Sequence, residues 1–192
     1  MGRTVSTRMA QALCCGWLLC SGPSAAGRSP VPDDALGRDT PGLALVGGVL
    51  RYHGRPFSGH VVERDGDSLR SLTPYVDGKQ HGVVQGWYPD GSPSYRRIYR
   101  RGHREGTHHG FWPDGSPQFV YHYAHDLFEG EQVAFYKNGV QAELRHYREG
   151  REDGQQKFYD GTGRLIGNYT FRNGKRYGIV GRFDCVSMGA GM

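Results

Sequence analysis

From about residue 54 onward, apolar and polar positions alternate in short runs, and each run is bounded by a glycine-containing turn. In Tyr95-Arg96-Arg97-Ile98-Tyr99 the alternation sends Tyr95, Arg97 and Tyr99 to one face and Arg96 and Ile98 to the other. Pro89-Asp90-Gly91-Ser92 precedes this run as a turn: proline fixes φ, and glycine supplies the positive φ that closes it. Before the turn, Val83-Val84-Gln85-Gly86-Trp87-Tyr88 is a second β-prone run, so the two runs predict a β-hairpin. No stretch sustains a 3.6-residue apolar period with caps, which predicts almost no helix.

The hairpin recurs. Glycines stand at Gly54, Gly78, Gly102, Gly150 and Gly174, with Asp126 in the one gap. Further sets fall at Gly82, Gly106, Gly130, Gly154 and Gly178, and at Gly91, Gly115, Gly139 and Gly163. An aromatic set follows the same 24-residue interval at Tyr75, Tyr99, Tyr123, Tyr147 and Phe171. A period of this size predicts an array whose units bury their apolar faces on their neighbours. The expected fold is all-β: tandem antiparallel β-hairpin repeats forming one elongated twisted sheet without a second layer. An even interval aligns Tyr99, Tyr123, Tyr147 and Phe171 as one ladder and Trp87, Phe111, Phe135 and Tyr159 as another. Cross-strand pairs of this kind contribute roughly 0.2–1 kcal/mol each. The small column Gly86, Gly110 and Ala134 permits close packing, and Phe158 breaks it.

The two ends read differently. Residues 1–26 are expected to be a signal peptide: Arg3 and Arg8, an apolar run over 9–19, then Ser24-Ala25-Ala26 as a cleavage site. At roughly a dozen residues the apolar run is too short to span a bilayer. The rival reading is acylation, through Met1-Gly2 with Ser6 and through Cys14, Cys15 and Cys20. Leu19 before Cys20 is too large for a bacterial lipoprotein site. Residues 27–48, with Pro30, Pro32 and Pro41, read as an extended linker. Residues 49–192 form the repeat domain, with units at about 51–74, 75–98, 99–122, 123–146 and 147–170 and a partial unit at 171–184. The expected location is periplasmic or secreted, with N-terminal membrane anchoring as the alternative.

Composition narrows the chemistry. Removing the leader takes away Arg3 and Arg8 and no acid, so the formal charge falls from +5 to +3. That excess favours solubility and acidic surfaces and does not by itself imply nucleic acid. Only Cys185 remains outside the leader, which excludes a disulfide framework within one mature chain. Histidines are dense (His81, His103, His108, His109, His122, His125 and His146), yet the spacing gives them no ligand geometry. His122 and His146 lie two strands apart, roughly 9.6 Å, and His108 and His109 face opposite sides. Glu105, Glu129 and Asp153 share one repeat position and are not a matched carboxylate pair. Nucleophile-elbow, phosphate-loop and paired-cysteine signatures are missing, so no catalytic residue, cofactor or metal is predicted. Asn168-Tyr169-Thr170 matches a glycosylation acceptor.

A binding surface is the better expectation. Tyr95, Arg96, Arg97, Tyr99, Arg100, Arg101, Arg104 and Trp112 gather cationic and aromatic groups from two successive hairpins. Such a patch suits a protein partner or an anionic membrane surface. Nothing singles out RNA. An open sheet also leaves edges for self-association.

Tyr99-Arg100-Arg101-Gly102-His103-Arg104-Glu105-Gly106 and Tyr147-Arg148-Glu149-Gly150-Arg151-Glu152-Asp153-Gly154 resemble the MORN repeat, in its 24-residue bacterial variant. The resemblance covers about residues 49–184. Asp126 departs from it, and Tyr52-His53-Gly54-Arg55-Pro56-Phe57-Ser58-Gly59 carries one extra residue between its glycines. Residues 60–74 read as lacking the Asp/Asn-Gly turn, which makes the first unit a degenerate cap. The resemblance implies a β-sheet array that contacts proteins or acidic phospholipids, and bacterial members are often antitoxin components. No catalytic residue comes with it. The expected function is therefore a non-enzymatic exported protein-binding module of antitoxin or immunity type; the alternative is a peripheral module on anionic lipid.

Overall fold

The structure is a computed structural model that describes residues 31–179. The expected signal peptide, residues 27–30 of the expected linker, and residues 180–192 with Cys185 lie outside the described residues.

Among the described residues the chain is all-β, without a helix. It opens with β1 (Leu36–Gly37), β2 (Leu43–Val46), β3 (Val49–Tyr52) and β4 (Arg55–Pro56), followed by the hairpin β5 (Gly59–Asp65) and β6 (Ser68–Val76). Each later unit then contributes a two-residue strand, a six-residue strand and an eight-residue return strand. These are β7 (Lys79–Gln80), β8 (Gly82–Trp87) and β9 (Pro93–Arg100), then β10 (His103–Arg104), β11 (Gly106–Phe111) and β12 (Pro117–Ala124). They continue as β13 (Leu127–Phe128), β14 (Gly130–Phe135) and β15 (Gln141–Arg148), then β16 (Arg151–Glu152), β17 (Gly154–Tyr159) and β18 (Leu165–Arg172). The last described strand is β19 (Lys175–Ile179). From β5 onward, strands joined by consecutive turns pair in sequence order and antiparallel, forming one large sheet that does not close into a barrel.

The start of the chain differs from its sequence reading. Segments of the expected linker 27–48 are folded: β1 runs parallel to β5, and β2, β3 and β4 form a small separate sheet. The physical reason is apolar content. Leu50 and Phe57 are buried with Val61, and Leu36, Leu43, Tyr52 and Tyr75 pack against them. This cluster gives the first part of the large sheet a second layer. Its seat is the turn at Gly78, where an added Cβ would lie 2.4 Å from Val49 Cγ1 and 2.5 Å from Leu50 O. The first unit also has its turn after all. Asp65-Gly66-Asp67-Ser68 closes β5 onto β6, with Asp65 paired to Ser68 and Gly66 at φ 57°. The turn sits one residue early and is shorter, which compensates for the extra residue between Gly54 and Gly59.

In the later units a recurring bulge organises everything else. β10 pairs with β9 as His103↔Arg100, but β11 pairs with the same strand as His109↔Arg96, a register two residues different. The slip leaves backbone groups without ladder partners, and buried side chains take them up. Gln132 accepts from His122 N (2.9 Å) and donates to His122 O (3.0 Å). Gln156 donates to His146 O (2.8 Å), and His108 Nε2 bonds Ile98 O (2.8 Å). Ile98, His122 and His146 occupy one repeat position. In the first of these units that position is Pro74, which has no N–H, and the matching buried side chain is the apolar Val84.

The small column is likewise a paired feature. An added Cβ at Gly86 would lie 2.2 Å from Tyr95 Cε1, and one at Gly110 would lie 2.2 Å from Phe119 Cε1. Where Phe158 breaks the column, its cross-strand partner is Gly167. Bulk and space have changed sides of the same strand pair.

Candidate binding face

Strand alternation gives the large sheet two unlike faces. One carries Tyr95, Arg97, Tyr99, His108, Tyr123, Arg145 and Tyr147; the other carries Arg96, His109, His122 and His146. On the first face the aromatic ladder is continuous from Tyr99 to Tyr147 but not tyrosine on tyrosine, and its expected last member, Phe171, meets Tyr169 instead at 5.9 Å. Ring centroids run Tyr99–His108 at 5.6 Å, His108–Tyr123 at 4.6 Å, Tyr123–Phe128 at 4.8 Å and Phe128–Tyr147 at 5.1 Å. His108 and Phe128 fill the gaps that two-strand spacing leaves between tyrosines. The second expected ladder shows no ring contact among Trp87, Phe111, Phe135 and Tyr159 within the described residues; Phe111 stacks on His109 instead, at 6.2 Å.

Arginines lie over this aromatic row. Arg97 Cζ is 4.2 Å from the Tyr95 centroid, Arg104 Cζ is 4.5 Å from Tyr123, Arg145 Cζ is 5.1 Å from Tyr147, and Arg176 Cζ is 4.6 Å from Tyr169. Arrangements of this kind are worth roughly 0.5–2 kcal/mol, more where water is excluded.

The predicted patch is therefore split. Tyr95, Arg97 and Tyr99 share the aromatic face, and Arg104 lies over its Tyr123 ring. Arg96 sits on the opposite face, across from Gln85 and His109. Arg100 is the exposed last residue of β9, and Arg101 occupies the turn with φ 51°. Trp112 starts the loop at the other end of the strands, where Trp112 N donates to Ser116 O. Its indole Nε1 is buried without a hydrogen-bond partner. Alternation was legible in the sequence, so the separation of Arg96 from Arg97 was too.

The turn end is bonded from unit to unit. Gly78 N donates to Phe57 O, Gly102 N to Gln80 O, Asp126 N to Arg104 O and Gly150 N to Phe128 O, all between 2.7 and 3.1 Å. The preceding residue donates as well: His125 N to Glu105 Oε2 (3.0 Å) and Glu149 N to Glu129 Oε2 (2.8 Å). The recurring carboxylate column is thus a structural bond between units. Asp126, the exception in the glycine register, also adopts positive φ, at 69°. Its side chain bonds back to the preceding unit: Arg104 N donates to Oδ1 at 2.7 Å, and His103 Nδ1 lies 2.5 Å from Oδ2. These bonds, Arg104 N first and His103 second, hold the Asp126 carboxyl below its ordinary range.

Burial lowers the basicity of His108, and Arg97 and Arg104 nearby add to the effect against its Ile98 carbonyl bond. Burial and then the neighbouring Glu143 push the Tyr121 phenol up to about 12, so it is a hydrogen-bond donor, reaching Glu143 Oε1 at 3.4 Å. The histidines make separate structural bonds: His122 with Thr107 Oγ1 (3.0 Å) and His146 with Gln155 O (2.8 Å). Asn168 of the acceptor sequence lies in β18, opposite Lys157, and takes a bond from Gln155 Nε2 at 3.3 Å.

Sequence reasoning missed the N-terminal side of this face. A cleft of about 450 Å³ opens there, walled by Arg38, Leu45 and Gly48 and floored by residues that include Thr73, Tyr95, Arg97 and Tyr99. Its walls come from the segment read as linker, which gave no signal of its own. No family model matches the chain, and no curated protein shows significant similarity to it.

Proposed function

We propose that the chain is a non-enzymatic, exported protein-binding module that engages its partner through the aromatic–arginine face. The observation that carries this reading is the set of half-exposed tyrosines Tyr95, Tyr123 and Tyr147 overlaid by Arg97, Arg104 and Arg145, extended by Arg176 over the buried Tyr169. Tyr and Arg dominate binding hot spots because they supply large contact area together with directional hydrogen bonds. Fixed backbone on both sides of each residue lets such a surface bind with little ordering cost. The MORN-like repeat pattern agrees with this role, and an antitoxin or immunity-type factor is the specific form proposed. The leader-like residues 1–26 support export.

The test uses the full chain as bait in extracts and culture medium of its native host. A reproducible partner should be retained by Arg96→Ala, on the other face, and lost by an Arg97→Ala/Arg104→Ala pair. Loss in both variants, or no reproducible partner, would count against the reading. Steep, salt-sensitive binding to phosphatidylserine vesicles without a captured protein would favour the membrane alternative.

A further inference from the structure

Two arginines at the same repeat position meet different fates. Arg145 is bonded to Glu152, and the Tyr169 hydroxyl reaches the same carboxylate at 3.3 Å. The face thus shows how it holds a carboxylate: a guanidinium braced on an aromatic ring, with a phenol beside it. Arg97, two units earlier, is also braced on a ring of its own strand, Tyr95 two residues before it, where Arg145 uses Tyr147 two residues after it. The position that supplies Glu152 is Arg104 in that unit, and its guanidinium donates to Asp126 O at 2.9 Å. Among the described residues, Arg97 makes no hydrogen bond or ion pair within the chain, and neither do the hydroxyls of Tyr95, Tyr99 and Thr73.

These unused donors converge on the 450 Å³ cleft. Among the described residues that line it, the one carboxylate, Glu63, already accepts from Ser71 Oγ at 3.0 Å and lies 3.9 Å from Arg38. Lys79 adds a further cation, anchored to Gly48 O at 2.8 Å. A donor-rich, cationic floor calls for an acceptor-rich anion. The wall shows what kind. β2 contributes Leu45, 62% exposed, and Val46 beside it is 55% exposed. Val46 and Val49 close a two-residue turn, so the N–H and C=O of Leu45 point away from β3. Its cross-strand neighbour Leu50 likewise bonds outward, to Gly78 O and Phe57 N. β2 is an outer strand of the small sheet, ready for strand addition.

We propose that this cleft receives an extended acidic peptide segment of a partner, which lies along β2 and places a carboxylate on Arg97. The proposal rests on the protein-binding reading above and gives the partner its chemistry. A flat lipid surface fits less well, because the floor is recessed beneath the wall that carries Leu45 and Gly48.

The probe is a dye-labelled, N-acetylated octapeptide of alternating glutamate and threonine, titrated against the full chain by fluorescence anisotropy. The glutamine–threonine counterpart is the neutral control and should bind at least about tenfold more weakly. Arg97→Gln and Thr73→Val should each weaken binding by roughly tenfold. Arg96→Ala removes the same charge from the opposite face and should leave binding unchanged. Thr73→Val is nearly isosteric and decides the matter if Arg97→Gln melts early. Equal losses in Arg96→Ala and Arg97→Gln would reduce the attraction to net charge and overturn the proposal. Equal binding of the two peptides would overturn it as well. Binding to phosphatidylserine vesicles but not to the glutamate peptide would overturn it in favour of a membrane. Failure of the glutamate peptide, with host-partner capture still lost in the Arg97→Ala/Arg104→Ala pair, would sink the acidic-peptide inference and leave the protein-binding reading standing.

Discussion

The region from β1 to β6 and the units from β10 to β18 build on the same hairpin but hold it together by different means. In the first, Phe57 and Val61 are buried with Leu50 of the small second sheet, and where β6 meets β8 the bulge-facing pair is Pro74 with Val84. In the second no such cluster exists among the described residues. The most buried side chains there are His108, Gln132 and Gln156, each bonded to the backbone that the register slip exposes. A two-layer region can rely on apolar burial, which is non-directional. A single sheet has too little apolar depth for that, so it relies on buried side chains that bond the displaced carbonyls; Gln132 also takes up the His122 N–H, whereas the buried Gln156 Oε1 has no partner. The lesson is that the bulge, not the hydrophobic pattern, sets what each unit must carry at its centre.

The largest effect should come from the capped region. Leu50→Ala removes a side chain that is 2% exposed and should cost about 2–5 kcal/mol, read as a lowered urea midpoint. A loss below about 1 kcal/mol would mean that the small sheet does not act as a second layer.

The next experiment moves the chemistry of one region into the other. Gln132→Val alone leaves His122 N–H without its acceptor and should cost about 1–3 kcal/mol. Adding His122→Pro removes that donor and recreates the Val84/Pro74 pair. The double variant should then lose less than the sum of the single variants, a favourable coupling of about 1 kcal/mol in a double-mutant cycle. Strict additivity would break the comparison, because Pro74 and Val84 would then be unrelated substitutions.

Much of this was legible beforehand. The 24-residue interval gave the hairpins and their order, and alternation gave the two faces, because both follow from backbone geometry that every unit repeats. The buried role of Gln132 and Gln156 was not legible, since a glutamine in a strand reads as solvent-facing until the slip between β10 and β11 is known. Phe158 read as a break in the small column, and only its partner Gly167 shows the exchange of bulk. The cleft was hidden for another reason. Proline and glycine around Leu36 and Leu43 suggest a linker locally, and only their long-range packing on the Leu50, Phe57 and Val61 cluster folds the segment that carries the wall residues Arg38, Leu45 and Gly48.

His108 is the titratable member of the buried polar column, and it sharpens the comparison through pH. Burial and the nearby Arg97 and Arg104 depress its folded-state affinity for a proton. The groups around it are Tyr99 from β9, Tyr123 from β12, Arg97 and Arg104, with the Ile98 carbonyl as its bond partner. A depressed histidine contributes stability that is fully present above its unfolded value of about 6.5 and is lost as pH falls below it. The slope from this one group is at most about 1.4 kcal/mol per pH unit. His108→Gln, which copies Gln132, should flatten the stability profile between roughly pH 7 and 5. An unchanged profile would place the titration elsewhere.

The smallest effect is a gain, and it tests whether polar satisfaction governs the repeats. Tyr88 donates to Phe111 O at 2.8 Å and Tyr136 donates to Tyr159 O at 2.9 Å, each tying its loop to the next unit. Trp112 stands at the same repeat position between them, and its buried Nε1 finds no partner. Its counterpart acceptor is the Phe135 carbonyl. Trp112→Tyr should restore the missing tie and stabilise the chain by about 0.5–1.5 kcal/mol, partly offset by the smaller ring. Thermal melting reads the sign directly. A loss of stability instead would show that apolar area outweighs hydrogen bonding even in a single-layer unit, and the contrast between the two regions would be one of degree.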